Sequence, residues 1–279
     1  MAKIEEKQSK QKIEITDGVL IPARDDSSIF SAWRISFYGA IAALIMLPFL
    51  SPEPYSHVLK FIIGFDESWH FDIGNSGLVK TFEVTVLSIF FALFIGLLVG
   101  LGRISRISFI NRLCTVYVEV IRGIPLLVQL FYIYYALAKF VKIMDISAAV
   151  IAMAICYGAY IGEIFRAGIQ SIPKGQMEAA LALGMSRSQA IYRIILPQTI
   201  KVVLPPIGNE FIALLKDSSL VSILAVSDLL RRGREYASTS FYYFETYTMV
   251  AIIYLILTLF FSRLVAIMEE RMKINANQS

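Results

Sequence analysis

Six apolar segments of about twenty residues each place the strongest limit on how this chain can fold. A helix needs about 20 consecutive apolar residues to cross the hydrocarbon core of a bilayer. Hydrophobic residues make up 57% of the chain and charged residues only 17%, a composition outside the range of ordinary soluble domains. The sequence therefore predicts an all-α integral membrane protein with six transmembrane helices. They are residues 33–50, 79–102, 113–138, 147–168, 199–226 and 245–266.

Residues 1–31 are polar, nearly balanced in charge and poor in aromatic side chains, which predicts a loosely ordered extension rather than a domain. The first apolar run follows Trp33 and is long enough to span a bilayer. We therefore expect a retained helix and not a cleaved signal peptide. The cysteines Cys114 and Cys156 fall inside apolar segments, and neither the cysteines nor the two histidines have metal-ligand spacing. The sequence predicts no metal site.

The distribution of charge between the apolar segments indicates the orientation of the chain. Segment 103–112 holds three arginines and no acid, whereas segment 51–77 holds four acidic residues against Lys60 alone. Positive residues concentrate on the cytoplasmic side of membrane proteins. This places both termini and the polar stretch 169–198 inside and residues 51–78 outside. Three arginines between the fifth and sixth segments then lie outside, against the rule: Arg231, Arg232 and Arg234.

The polar stretch between the fourth and fifth segments has a distinctive layout. Glu178-Ala179-Ala180 is followed after three residues by Gly184, and the stretch ends near Pro197. This spacing predicts a polar helix, a break at the glycine and a second amphipathic helix. Such a knob on the membrane surface suits the docking of a soluble partner. An interfacial helix lying on lipid head groups is the alternative, which the acid Glu178 and the few exposed basic residues disfavour.

Further motifs occur in a fixed order around this stretch. They read YVE at 117–119, RGIPLLVQ at 122–129, AYIGEIFR at 159–166, QSIPKGQ at 170–176 and LKDSSLVS at 215–222. With these motifs, residues 81–269 resemble the polar amino acid permease family of ABC transporters, of the histidine and glutamine type. The stretch 170–197 is similar to the EAA loop, which in that family docks on a cytoplasmic ATPase.

The resemblance implies a permease subunit of an ATP-binding cassette importer that moves a polar amino acid across a prokaryotic inner membrane by alternating access. The partners that it implies are ABC ATPase subunits, a second permease subunit of the same or a homologous chain, an extracytoplasmic substrate-binding protein and membrane lipid, but no nucleic acid. We expect no catalytic residue and no cofactor in this chain, since it has no Gly-Lys-Ser/Thr phosphate loop. ATP and Mg²⁺ would be used by the partner ATPase.

The resemblance also implies a division of the chain. Family members commonly have five core spans, so the span at 33–50 and the segment that follows it are extra. We therefore expect a cytoplasmic extension, an extra transmembrane helix with an extracytoplasmic segment, a permease domain and a cytoplasmic tail. These are residues 1–31, 32–78, 79–270 and 271–279, with the coupling EAA loop at 170–197.

Residues of the EAA loop are the predicted points of ATPase coupling. Small side chains permit close helix approach, a glycine permits a sharp reversal, and an acid offers a fixed charge to a basic or backbone partner. The residues are Gln176, Glu178, Ala179, Ala180 and Gly184.

A substrate pathway is indicated by polar and ionisable residues inside the apolar spans, where each charge costs about 2.5 to 3.5 kcal/mol or more without a partner. The candidates are Arg122, Glu163, Asn209, Lys216, Asp217 and Ser219. Lys216 would meet the substrate carboxylate, and Asp217 or Glu163 the ammonium group. Adjacent positions point about 100° apart on a helix, so Lys216 and Asp217 cannot pair face to face.

Other interpretations of these charges stay open. Glu163 with Arg166, and Glu119 with Arg122, have the i, i+3 spacing of self-neutralising helix pairs with a structural role only. An ion-coupled secondary amino acid transporter is the alternative function, with Glu163 and Asp217 as coupling sites. Such a protein needs no EAA knob, and the sequence has no detectable inverted repeat.

Glycine and proline residues predict two features of helix packing. The run 123–125, Gly-Ile-Pro, predicts a break in the third span just after Arg122. Gly96, Gly100 and Gly102 in the second span predict close helix packing or dimerisation.

The three arginines predicted to lie on the outer side, Arg231, Arg232 and Arg234, are interpreted as a contact with the substrate-binding protein.

Overall fold

The computed structural model describes residues 13–16, 19–22, 38–39, 41–42, 45–50, 52–65, 70–138 and 145–277. The chain forms two units, residues 1–50 and 51–279. In the first unit, β1 (Ile13–Thr16) pairs antiparallel with β2 (Val19–Pro22). The prediction of a loosely ordered extension did not include this hairpin, whose β-branched residues favour extended backbone. Within the predicted span 33–50, the described residues 38–39, 41–42 and 45–50 are helical, and the remainder lies outside the described residues.

The described part of the second unit is helical. Its α-helices are α1 (Pro52–Ile63), α2 (Gly77–Arg103), α3 (Ser108–Gly123), α4 (Leu126–Ala138), α5 (Asp145–Ser171), α6 (Lys174–Ala182), α7 (Arg187–Ala190), α8 (Leu196–Asp217), α9 (Leu229–Ser240) and α10 (Tyr243–Asn277). A π-turn at Ile191–Ile195 joins α7 to α8, and a 3₁₀ helix at Ser218–Leu224 follows α8.

Four stretches of the described chain are long and apolar enough to cross a membrane. They are Gly77–Arg103, Asp145–Ser171, Arg187–Leu224 and Tyr243–Met272. The pair α3 and α4 passes the same test jointly but is bent by 105°, which makes a fifth span if the pair counts as one. The structure therefore confirms an all-α membrane protein with four or five candidate spans in the part of the chain that it describes. The span predicted at 113–138 is bent where the Gly-Ile-Pro run predicted a break.

Helices α2 and α5 form the centre of the unit because glycines let their backbones approach. A Cβ atom built on Gly96 would lie 2.5 Å from Ile161 Cγ2, and one on Gly100 would lie 2.8 Å from the carbonyl oxygen of Gly162. Gly162 lies opposite these glycines on α5. A Cβ atom built on Gly162 would lie 2.9 Å from Val99 Cγ1. The prediction of close packing at these glycines is confirmed, and the partner is a helix of the same chain.

The outer face of α2 has the opposite character. Phe90, Phe94 and Leu98 recur every four residues and are 65%, 62% and 55% exposed. A stripe of this kind on a membrane-spanning helix faces hydrocarbon, since nothing polar interrupts it. Helix α2 therefore separates a small-residue face for α5 from a large-residue face for lipid.

Helix α1 is an element that the sequence analysis did not identify within the segment 51–77. It buries Tyr55, Val58 and Ile62, which recur at helical spacing on one face. The chain then turns at Gly64, whose φ of +96° suits glycine and whose added Cβ would lie 2.8 Å from Ser76 Cα. Ser76 caps the start of α2 by accepting from the amide of Val79 at 3.2 Å.

The arginines of α9 contact residues of their own chain. The guanidinium carbon of Arg232 lies 4.1 Å from the ring centroid of Phe61 in α1, and its Nη2 donates to the Phe61 carbonyl at 3.3 Å. Arg234 Nη2 donates to the carbonyl of Ser222 at 3.0 Å, and Arg231 pairs with Glu235 at 2.9 Å. These contacts give the three arginines a structural role within their own chain.

Asp228 begins α9 and is fully buried. Its carboxylate accepts from the amides of Leu230 at 3.3 Å and Arg231 at 3.0 Å, as an N-cap does. Burial is the largest influence on this group, and it raises the pKa of Asp228 from 3.8 to about 7 despite these hydrogen bonds. The residue lies outside the candidate spans, between the 3₁₀ helix and α9.

We expect a single methyl group at Gly96 to destabilise the α2–α5 contact. The Gly96→Ala variant forces the helices apart, and overpacking of this kind costs about 1–3 kcal/mol. Thermal unfolding of the detergent-solubilised protein measures the loss as a lower Tm. Gly175→Ala is the control, because an added Cβ there meets nothing within 4 Å. Equal Tm values for the two variants would contradict the close packing.

We expect Asp228 to make folding stability depend on pH. Its folded pKa lies above the unfolded value, so its stabilising contribution is complete below about pH 4 and is lost as the pH rises to about 7. The Asp228→Asn variant keeps an N-cap acceptor but cannot ionise. The difference in Tm between wild type and variant, measured from pH 4 to 8, should therefore change across this window and be constant above it.

Candidate functional site

A cavity of about 400 Å³ lies where the break between α3 and α4 meets α5 and α8. Its volume is in the range of small-molecule sites. The lining residues come from three regions of sequence: Arg122 to Leu126, the α5 residues Cys156, Tyr157 and Tyr160, and the α8 residues Glu210, Ala213 and Asp217.

The charged groups of this cavity are one guanidinium and two carboxyls. Arg122 stacks on Tyr160, with its guanidinium carbon 5.0 Å from the ring centroid. Tyr157 Oη donates to Asp217 Oδ2 at 2.8 Å, which holds that carboxylate against α5. Glu210 has no hydrogen bond or ion pair with any residue that the structure describes. The cavity thus presents groups of both signs with hydrogen-bonding capacity left over.

Local sequence explains how these groups meet. Glu210 and Asp217 are seven residues apart on α8, about two helical turns, so they share one face. The Gly-Ile-Pro run ends α3 at Gly123, one residue after Arg122. All three residues of the run line the cavity. Gln129 Nε2 donates to the carbonyls of Ile121 at 2.7 Å and Ile124 at 2.8 Å, which satisfies backbone groups freed by the break.

The structure brings two of the six predicted pathway residues into this cavity, Arg122 and Asp217. Lys216 is exposed on another face of α8, as its 100° offset from Asp217 requires. Asn209 is also exposed, and Ser219 is half-buried in the 3₁₀ helix. The cavity therefore takes its cation from Arg122 and not from Lys216.

Glu163 does not line the cavity. Its carboxylate forms ion pairs with Arg166 on the next turn of α5 and with Arg103 at the end of α2. Arg166 also donates to Gln170. The structure contains the i, i+3 pair of Glu163 with Arg166, and Arg103 extends it into a tie between two helices. Glu119 is exposed and forms no ion pair with Arg122, although both are described.

The sequence analysis did not assign four of the cavity residues to the site: Glu210, Tyr157, Tyr160 and Cys156. For Glu210 the signal was present in its spacing from Asp217, which puts two ionisable groups on one helical face. The α5 residues gave no comparable signal, because aromatic and thiol side chains in an apolar helix look like ordinary core.

The second candidate site is the knob formed by α6 and α7. Helix α6 ends in a Schellman motif, in which the amide of Met185 donates to the Ala180 carbonyl at 3.1 Å and that of Gly184 to the Leu181 carbonyl at 3.0 Å. Gly184 has a φ of +81°, as the motif requires. Ser186 and Gln189 then form a capping box that starts α7. The predicted helix, glycine break and second helix are confirmed.

The knob presents most of the predicted coupling residues to solvent. Gln176, Glu178, Ala179 and Gly184 are exposed, whereas Ala180 is buried with only 1% of its surface accessible. Leu183, at the tip of the turn, is 82% exposed. Glu178 forms no hydrogen bond or ion pair with the described residues. A free acid beside a projecting leucine is a surface suited to a protein partner.

Among the described residues, no group of three or more His, Cys, Asp or Glu side chains is arranged to hold a metal ion.

Comparison with known proteins identifies the type of protein. Residues 92–274 match the family described as binding-protein-dependent transport system inner membrane component. The glutamine transport system permease protein GlnP of Escherichia coli K12 is 41% identical over 201 residues, which cover 71% of this chain and 92% of GlnP. The chain belongs to the amino acid ABC transporter permease family. It is the permease subunit of an ATP-binding cassette importer for amino acids and a multi-pass inner membrane protein.

Other relatives of this permease match it over similar shares of the two chains. The probable amino-acid permease protein YxeN of Bacillus subtilis is 41% identical over 69% of this chain and 88% of its own. The L-cystine transport system permease protein TcyB of the same species is 38% identical over 71% and 86%. Permease subunits of this family are translocation subunits and not enzymes, and membership implies ATPase and binding-protein partners.

Solved structures agree with the assignment. An amino acid ABC transporter with histidines aligns at 41% identity and a TM-score of 0.69, covering 80% of this permease and 98% of that chain. The inward-facing MetNI methionine ABC transporter aligns at a TM-score of 0.60, covering 69% and 93%. Its 21% identity supports likeness of fold alone.

Proposed function

We propose that this permease moves a polar amino acid by alternating access and that its partner ATPase drives the change by docking on residues 170–197. The capped knob at the end of α5 carries the proposal, because its turn holds Leu183 and Glu178 exposed at fixed positions. Coupling is assigned to Gln176, Glu178, Ala179, Ala180 and Gly184, with ATP and Mg²⁺ used by the ATPase. Ala180 acts through packing, since it is buried.

The cavity between α3, α5 and α8 is the proposed substrate site. An amino acid carries a carboxylate and an ammonium group, and the cavity offers a guanidinium and carboxyls to match them. Arg122 takes the carboxylate and Asp217, held by Tyr157, takes the ammonium group. Relatives named for glutamine and L-cystine, and a transporter solved with histidines, support a polar amino acid as cargo.

Glu163, Lys216 and Asn209 have roles outside the cavity in this proposal, and Ser219 does not line the cavity. Glu163 ties α2 to α5 through Arg103 and Arg166. Lys216 and Asn209 lie on an exposed stripe of α8 that also includes Val202 and Pro206 and continues to Ile223 in the 3₁₀ helix. A lysine on a membrane-spanning face needs a polar partner or water, so a second permease subunit, of the same or a homologous chain, covers this stripe or shares a wet channel with it.

The proposed orientation puts the knob, the arginine-rich segment 103–112 and both termini in the cytoplasm. Counting α3 and α4 as one span, five crossings from Gly77 bring the end of α10 to the cytoplasmic side. The extracytoplasmic side then carries α1 and α9, where a substrate-binding protein of a prokaryotic inner membrane system docks. The permease domain is residues 79–270, preceded by the extra elements of 1–31 and 32–78 and followed by the tail 271–279.

We expect Gly184→Ala to weaken the association with the ATPase. A side chain at a φ of +81° is strained by about 1–2 kcal/mol, so the turn that positions Leu183 distorts. Affinity purification of the tagged permease from its own membranes, followed by mass spectrometry of stoichiometric partners, measures the loss of an ATPase with a phosphate loop.

Gly175→Ala is the matched control for that experiment. It adds the same methyl group to the same knob, where an added Cβ meets nothing within 4 Å and φ is not in the left-handed region. Retention of the ATPase by both variants would reject the coupling role of the turn. Amino acid uptake that continues in proteoliposomes without ATP would replace the proposal by an ion-coupled transporter.

We expect Asn209→Cys to cross-link two permease subunits. Residues near the axis of a two-fold dimer face their own copies, so a short bismaleimide joins them if the α8 stripe is the interface. Leu259→Cys is the control, since Leu259 is exposed on a different helix, α10, and should give monomer. Dimer from Leu259→Cys and none from Asn209→Cys, read by gel electrophoresis, would place the second subunit elsewhere.

A further inference from the structure

A row of large apolar side chains runs along the exposed face of α3. Phe109, Leu113, Val116 and Val120 recur at helical spacing, and each is at least half exposed. This α3 stripe leads from the start of the helix toward the break between α3 and α4. An apolar face of this kind on a membrane-spanning segment meets lipid chains.

The α3 stripe ends at a second cavity, of about 400 Å³, which is apolar. Its lining comes from the end of α3, the first two turns of α4 and one residue of α5, and it is aliphatic except for Gln129 and Tyr132. Because Val120, Val128 and Tyr132 are exposed, the cavity opens to the surface of the chain. Apolar cavities bind apolar molecules rather than water.

Two arginines lie at the opposite end of the α3 stripe. Arg106 is in the turn that leads into α3, and Arg112 is on the second turn of the helix. Both are exposed, and neither side chain forms a hydrogen bond or ion pair with a residue that the structure describes. Arg103, by contrast, is paired with Glu163. Two cationic groups are therefore available to a ligand.

The start of α3 adds to this positive potential. The helix begins at Ser108, and the residue before it, Ile107, makes no side-chain capping hydrogen bond. The first amides of a helix have no partner within the helix, and they carry the positive end of its dipole. Guanidinium groups and such amides are the donors that proteins use to bind phosphate.

We infer that this surface binds a phospholipid with a net negative head group. The phosphate lies at Arg106 and Arg112, and one acyl chain follows the α3 stripe into the apolar cavity. The inference goes beyond the proposed function, since it uses neither the substrate cavity nor the knob.

The length of α3 agrees with a lipid of one leaflet. From Arg112 to Val120, the first residue of the apolar cavity, the helix rises by about 12 Å. The hydrocarbon core of a bilayer is about 30 Å thick, so one leaflet supplies about 15 Å. The end of an acyl chain whose head group is held at the arginines therefore reaches the cavity.

The charge of the head group follows from the lack of acids beside the arginines. A phosphatidylcholine or phosphatidylethanolamine head group brings a cation next to its phosphate, and segment 103–112 holds no acid to receive it. Glu119 is exposed on α3, but it lies about two turns beyond Arg112. A phosphatidylglycerol head group carries only the phosphate and hydroxyls. The proposed orientation puts the arginines on the cytoplasmic side, where basic pockets bind anionic lipids.

The test measures the lipid that the complete transporter complex, permease with its ATPase, binds in a neutral detergent, read by native mass spectrometry. The probes are dioleoylphosphatidylglycerol, dioleoylphosphatidylcholine, dihexanoylphosphatidylglycerol and glycerol 3-phosphate. We expect the dioleoyl phosphatidylglycerol to bind about 10- to 30-fold more tightly than the phosphatidylcholine, because two arginines favour the anionic head group. The dihexanoyl lipid has chains too short to reach the cavity, and glycerol 3-phosphate has none, so both should bind more weakly.

Variants separate the head group from the chain. Arg106→Gln combined with Arg112→Gln should remove the preference for phosphatidylglycerol, whereas Arg106→Lys combined with Arg112→Lys keeps both charges and should retain most of it. Val120→Phe should fill the apolar cavity and weaken the binding of both dioleoyl lipids. Val116→Phe is its matched control, since Val116 lies on the same exposed face and does not line the cavity.

Equal binding of phosphatidylglycerol and phosphatidylcholine by the wild type would overturn the inference, whether or not the variants assemble. Competition by glycerol 3-phosphate as strong as that of the dioleoyl lipid would also overturn it, because the arginines would then bind soluble phosphate. Equal binding of the dioleoyl and dihexanoyl lipids would reject the cavity as the place of the chain. Absence of any bound phosphatidylglycerol would reject the whole site, and a protein subunit would then cover the α3 stripe.

Discussion

The break between α3 and α4 is the feature on which the cavity depends. A helix that ends inside a membrane exposes carbonyl groups that water cannot reach, and each must be satisfied within the protein. Gln129 supplies this by donating to Ile121 and Ile124. Because those carbonyls are satisfied, the chain can turn by 105° and leave Arg122 at the end of α3, facing α5 and α8.

The position of α5 is determined by contacts on two of its sides. Glycines bring α2 against it, and the ion pairs of Glu163 with Arg103 and Arg166 tie α5 to the end of α2. Tyr117 ties α3 to α5 by donating to the carbonyl of Ile155 at 2.6 Å. Tyr157 and Tyr160 are thereby held at one wall of the cavity, where they in turn hold Asp217 and Arg122.

Sequence reasoning predicted the parts of this structure that depend on local patterns. Apolar length identified four spans, the Gly-Ile-Pro run marked the break, and the spacing from Glu178 to Gly184 predicted the knob. It did not predict which charges meet across helices. Glu163 was expected near substrate, but its partner Arg103 is sixty residues away in sequence, and no local pattern joins them.

Helix α1 and the arginines of α9 show the same limit. The apolar face of α1 is only three turns long, too short for a span, and its partners lie far along the chain. In the sequence, the positive charge of Arg232 indicates the orientation of the chain in the membrane. In the structure, its guanidinium stacks on the ring of Phe61. Only the folded chain distinguishes a charge that faces water from one that stacks on a ring.

The stretch from Arg187 to Leu224 runs as one helical rod from the knob to the cavity. Glu210 and Asp217 are part of this helical stretch, whereas Arg122 is part of the broken span formed by α3 and α4. Any motion that reaches the start of the rod therefore alters the gap between the acids and the guanidinium.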